Sequence, residues 1–171
     1  MSFQNQFTKT TTDANLMETV HHGSAEYPFR YYYENIALFD FKCIDWHWHS
    51  ELEFIYIESG NVVFDIGTVH FELNEGNGIM INSKILHRLQ SSSDAIIPNF
   101  LFQPSFIAPQ DSLIYKKYIN PVISSSLEYL VFQPDIPWQK KALEIIKTII
   151  AVQKTEFNRE IIVSMSVQQL W

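Results

Sequence analysis

A chain of 171 residues is long enough for one sizeable hydrophobic core and short for two, so one main domain with an appendage is expected. Apolar residues make up 46% of it, with 13 Phe, 8 Tyr and 4 Trp, a composition that excludes disorder throughout and suits a sheet-rich globule. With 19 acidic against 12 basic residues, a formal charge of -7 and no Lys/Arg stripe, the chain by itself should repel nucleic acid.

Residues 1–26 are polar and threonine-rich (Thr8, Thr10, Thr11, Thr12) and read as a flexible N-terminal arm, in which Leu16, Met17 and Val20 offer a short helical turn or a segment that covers the domain. His21 and His22 in this arm have no partners at ligand spacing and read as surface groups, as does His70 further on. From residue 27 to residue 107 the texture is that of short strands. Phe29 to Glu34, Cys43 to His49, Glu53 to Glu58, Val62 to Ile66, Val69 to Leu73, Gly78 to Ile81, His87 to Gln90 and Ile96 to Phe102 are aromatic or β-branched runs broken by Gly, Asn, Ser and Pro. Three tight turns, around Gly60, Gly67 and Gly76-Asn77-Gly78, join some of them. The pattern predicts a mainly β fold: a double-stranded β-helix, or jelly-roll, barrel with C-terminal α-helices packed outside.

Residues 108–171 read as a helical dimerisation and linker region. Asp111 starts a short helix through Tyr118, which Pro121 ends; Asp135 and Pro137 introduce a stronger helix to about Val152. There Trp138, Ala142, Ile145, Ile149 and Val152 share a stripe that Leu143, Ile146 and Ile150 widen. A third helix, from Glu156, carries Phe157, Ile161, Met165 and Gln168 down one side. Faces this broad exceed what one barrel side covers, and a homodimer would bury the excess. Helical texture up to Trp171 suggests a longer protein cut before a DNA-binding domain.

The chemistry concentrates in His47-Trp48-His49, then Glu53, then His87. Residues two apart on a strand face the same way, so His47 and His49 point together, while Trp46 and Trp48 point outward, where the C-terminal helices can cover them. The face of Glu53 continues through Ile55, and His87 comes from a later strand that a rolled sheet brings opposite the histidine pair. Three imidazoles and a carboxylate suit Zn, Fe, Mn or Ni. The same groups also suit a metal-free pocket wall that hydrogen-bonds a polar ligand. Tyr31, Tyr33, Tyr56 and Phe64 can stack in the cavity or simply fill the core, Arg88 reads as a rim group, and Lys84 as a mouth residue or a solvated one. Cys43 cannot form an internal disulfide. No basic segment leads into an apolar run and no stretch reaches transmembrane length, so a cytoplasmic protein without a membrane partner is expected.

The run His47-Trp48-His49-Ser50-Glu51-Leu52-Glu53 with Gly60 six residues beyond resembles the first motif of the cupin superfamily, and Gly76 through Asn82, Lys84 and His87 follows the spacing of the second. Asn82 and Lys84 stand where that motif usually has Pro and Gly, and Phe41 stands at the usual leading Gly of the first. More narrowly, residues from Phe29 to about Trp171 resemble the N-terminal sensing and dimerisation part of an AraC/XylS-type transcriptional regulator. The resemblance implies a domain that takes a small polar effector such as a sugar or related metabolite into the cavity at His47, His49, Glu53, Ile55 and His87. It further implies a homodimer, and contact with DNA only through a missing C-terminal helix-turn-helix domain. The alternative is a metal-dependent cupin enzyme, an oxygenase or isomerase of a small polar metabolite that uses His47, His49, Glu53 and His87 as metal ligands.

Overall fold

The computed structural model describes residues 8–155 and 157–171. Residues 1–7 of the expected arm, and Glu156 at the expected start of the third helix, lie outside the described residues. Strands β1 (Phe29–Asn35), β2 (Cys43–His47), β3 (Leu52–Tyr56), β4 (Asn61–Ile66), β5 (Val69–Asn74), β6 (Gly78–Ile81), β7 (His87–Gln90) and β8 (Ile96–Phe102) follow one another, as the alternating texture predicts. A ninth, β9 (Tyr129–Phe132), falls in the stretch read as helical.

These strands form two antiparallel sheets, one in the order β1-β8-β3-β6-β9 and one in the order β2-β7-β4-β5. The expected closed double-stranded β-helix barrel is therefore corrected: neither sheet closes, and the molecule is a two-sheet sandwich. The reason lies in the ladders. Strand β8 pairs with β1 on one side and β3 on the other, while β6 pairs with β3 and β9, so neither has backbone groups left to bond the opposite sheet. The chain crosses between sheets after β3, where Gly60 adopts φ +81 and lies so close to Asp94 O and Ala95 that a Cβ would clash.

Alternation along β3 and β8 divides the apolar residues into two cores. Ile55, Ile79 and Ile97 face Phe64, Ile66 and Leu89 of the smaller sheet. Phe54, Met80, Phe100 and Phe102 face outward beneath the helices. Tyr56 and Tyr31 pack on this outer core and Phe64 belongs to the inner one, so none of the three lines the polar cavity described below.

A helical stretch passes through a π-turn (Tyr115–Ile119) into α1 (Asn120–Ile123). Pro121 does not end the first helix as expected but lies within α1, because the widened turn accommodates a residue with no N–H to give. Helix α2 (Pro137–Val152) buries Leu143, Ile146, Ile149 and Val152, leaving Trp138 exposed. Helix α3 (Arg159–Leu170) buries Val163 and Val167 and exposes Ile161 and Met165. Among the described residues, no helix is long and apolar enough to cross a membrane.

Candidate metal centre

His47 at the end of β2 stands opposite His87 at the start of β7, and an irregularity in the β2/β7 register between Ile44 and His47 sets its angle. His49 follows two residues on. Its carbonyl accepts the N–H of Lys84, which sits at φ 63, a left-handed conformation that glycine adopts most readily. Glu53 comes from the other sheet, on the inward face of β3. The four side chains are buried, and one ligand atom from each falls within 4.8 Å of all the others. Sequence alternation thus leads to a real convergence, drawn from both sheets at one end of the sandwich. Ile55 is different: fully buried in the inner core, it is not among the residues lining the cavity.

Backbone carbonyls fix the orientation of the imidazoles. Nδ1–H of His47 donates to Asp45 O at 2.7 Å, that of His87 to Ile85 O at 2.8 Å, and that of His49 to Glu51 O at 3.3 Å. Because a carbonyl only accepts, Nδ1 carries the proton and Nε2 is the nitrogen offered to the site. His49 Nε2 and His87 Nε2 then lie 3.3 and 3.2 Å from the same oxygen, Glu53 Oε2. Nitrogen lone pairs facing a carboxylate oxygen need a positive species between them, either a proton or a metal cation. His87 Nε2 is buried and finds no aligned hydrogen-bond partner. An orphaned ring nitrogen, three fixed Nδ1–H groups and one carboxylate form a donor set that fits a divalent transition metal. Burial and the neighbouring His87 push His47 down to about 3, so it stays neutral and able to ligate. Burial would raise Glu53, but the imidazoles of His49 and His87 set against it outweigh burial and hold the carboxyl well below its ordinary value.

Beside the cluster is a polar cavity of about 40 Å³, whose lining includes Glu18, His22, Tyr32, Glu34 and Asn99 as well as His47 and Glu53. Here the surface reading of His22 is corrected. Asp13 makes a side-chain turn onto Asn15 and Met17, Met17 bridges to Trp48, and the chain so folded back carries His22 inward until it is only 7% exposed. His22 bonds Glu18 Oε2 and Tyr32 OH, each at 2.9 Å, and its ring stands edge-on to that of His49. Burial opposes the charge on His22, yet Glu18 outweighs it and raises the group. The arm also covers Trp48, whose indole donates to Asn15 O, so the helices do not cover this tryptophan. His70 remains exposed and pairs with Asp65, while Arg88 is half-buried, donates to Cys43 Sγ and Gln90 Oε1, and is not among the residues lining the cavity. Glu18, Tyr32, Glu34 and Asn99 escaped sequence reading, and His22 reads from sequence as a surface group; only strand alternation, which sends Tyr32 and Glu34 of β1 to the same face, bears on any of them.

Glu34 accepts a hydrogen bond from Asn99 Nδ2 at 2.7 Å. Burial pushes it up to about 8, Asn99 partly offsets this, and the charges of Glu53 and Glu18 add to it. A carboxyl raised in the folded state binds protons there that the unfolded chain has lost, so stability falls as pH rises from its ordinary 4.5 towards about 8. Relative to the parent in chelated buffer, Glu34→Gln is therefore expected to gain thermal stability steadily from about pH 5 to about pH 8 and to level off above that. A difference in melting temperature that does not change with pH would contradict this.

Residues 38–109 match the AraC-like ligand binding domain. Over 164 residues, 93% of this chain, the sequence is 32% identical to the uncharacterized HTH-type transcriptional regulator YdeC of Bacillus subtilis; the chain spans 55% of that relative's length. Among solved structures, apo ToxT of Vibrio cholerae superposes with a TM-score of 0.54 at 10% identity, over 86% of this chain and 55% of that one. A cupin-2 domain protein of Shewanella frigidimarina gives 0.38 at 14% identity, over 43% of this chain and 69% of the other. Residues 38–109 thus match an AraC-like ligand binding domain, and nearly the whole chain is similar to part of an HTH-type transcriptional regulator.

Proposed function

We propose that the chain is the effector-binding and dimerising part of a bacterial AraC-type transcriptional regulator, working in the cytoplasm and reaching DNA only through a helix-turn-helix domain of the whole protein. The observation that carries this reading is the polar cavity beside the histidine cluster, one wall of which is the arm. A ligand that binds there more tightly in one arrangement of the arm shifts the population towards that arrangement, which is the minimum a sensor requires. A sugar-sized effector needs a site of roughly 300 Å³ or more, so its entry requires the arm to lift. The metal-enzyme reading draws on the same four ligands, but a cavity of about 40 Å³ leaves little space for a substrate beside them.

The dimer would form through α3. Within α3, Ile161 and Met165 lie four residues apart and are 57% and 65% exposed, and Phe157, just before the helix, is 81% exposed. A symmetric pair of such helices buries the stripe. The double change Ile161→Glu, Met165→Glu is expected to weaken self-association by about 30-fold or more in sedimentation, since central apolar anchors carry roughly 2 kcal/mol each. Fusion to a monomeric DNA-binding domain whose operator requires two copies tests the whole proposal. The parent fusion should occupy the operator and respond to added ligand, and the double variant should not. Equal occupancy by both fusions would refute the α3 interface, and a parent fusion that no ligand affects would refute the sensing role.

A further inference from the structure

We propose that a divalent metal ion is itself a ligand this domain reads, and that the arm from Thr10 to His22 is the element that responds, through Glu18. The inference rests on the reading of the chain as a sensing domain and names the class of ligand that its closed form accepts. Size is the first argument. The cavity of about 40 Å³ holds an ion's remaining waters but not a metabolite, and roughly 10–15 Å³ is needed for each water centre.

Charge is the second argument. Glu18, Glu34 and Glu53 all face this one small space. Glu34 and Glu53 are fixed on β1 and β3 of the larger sheet, whereas Glu18 belongs to a segment outside both sheets. That segment's ties to the sheets are the Met17/Trp48 bridge with the backbone hydrogen bonds of Glu18 and Leu16 to Trp48, the indole of Trp48 on Asn15 O, Thr10 Oγ1 accepting from Asp45 N, and His22 on Tyr32 OH. A dication among His47, His49, Glu53 and His87 would attract Glu18 across this space; without it Glu18 faces the Glu53 carboxylate, while Glu34 beside them holds its proton at neutral pH, and the arm is the part free to yield. His22 connects the two, held by Glu18 on one nitrogen and set edge-on against the His49 ring.

The test is amide exchange in the arm. Glu18 N–H donates to Trp48 O and Trp48 N–H to Leu16 O, so both amides report docking. The chain is stripped with chelator and then titrated with Zn(II) or Mn(II). Saturating metal is expected to slow exchange at both amides by about tenfold or more, with matching changes in the fluorescence of Trp48. Glu18→Gln at saturating metal should lose most of that protection. Stoichiometric metal with unchanged arm exchange would overturn the proposal, as would failure of the stripped chain to bind either ion. Exchange is read on the chain alone, so an arm that responds to metal in a fusion that never controls its operator would leave this inference standing and sink the regulatory reading.

Discussion

Replacing His49 by alanine is expected to abolish stoichiometric binding of a transition-metal dication and to leave the sandwich folded. His49 supplies one of the four converging ligand atoms, and its Nε2 lies 3.3 Å from Glu53 Oε2. Loss of an outer partner of a metal ligand typically costs about 10–100-fold in affinity, and loss of a ligand itself should exceed that. The fold should survive because His49 lies at one end of the sandwich and belongs to neither apolar core. Glu53 also retains a neighbour in His87, whose Nε2 lies 3.2 Å from it in the parent. Elemental analysis after loading with Zn(II) or Mn(II), paired with a circular-dichroism melt, checks both halves. A variant that retains one metal per chain would show that His47, Glu53 and His87 suffice, and a parent that binds none would return all four residues to hydrogen bonding.

The site was largely legible because its signal is local. His47 and His49 are two apart on one strand, so a period of two places them together, and Glu53 and His87 begin runs whose inward faces the apolar residues mark. What sequence does not contain is the return of the arm. Its contacts with Trp48 and Asp45 span more than 30 residues and use backbone groups and short polar side chains, which no hydrophobic period reveals. The closed barrel was misread for a related reason. Strand count and turn chemistry report how many ladders exist, while closure depends on whether an edge is left unpaired, and β9, after a long helical excursion, takes the free edge of β6. The breadth of α2 was correctly apparent, yet the buried centre is Leu143, Ile146 and Ile149, since Trp138 stands at the exposed start of the helix.

The consequence of two separate cores is that stability and ligand chemistry can be disturbed independently, and Phe100→Ala should show it. Phe100 is fully buried on the outward face of β8, stacked on Phe54 at 5.4 Å and on Phe29 at 5.7 Å between ring centres. Phe54 continues the row to Phe102 and to Phe132 on β9, so one ring links strands across the sheet beneath α2. Removing it deletes the central member and leaves a cavity beneath residues such as Ile146 and Ile149, which rigid neighbours fill only in part. The expected cost is about 3–5 kcal/mol, a large share of the roughly 5–15 kcal/mol that holds a domain together. Melting should fall by on the order of 10 °C for a chain of this size. Metal affinity measured well below that melting point should be unchanged, because Asn99 and Leu101 on either side of Phe100 face the interior where the cavity lies, and Phe100 faces away from it. A loss of under about 1 kcal/mol would mean that the ring row is not what docks the helices. A folded variant that has lost the metal would mean that the outer core sets the position of Glu53, and the two faces of the sheet would then be energetically coupled.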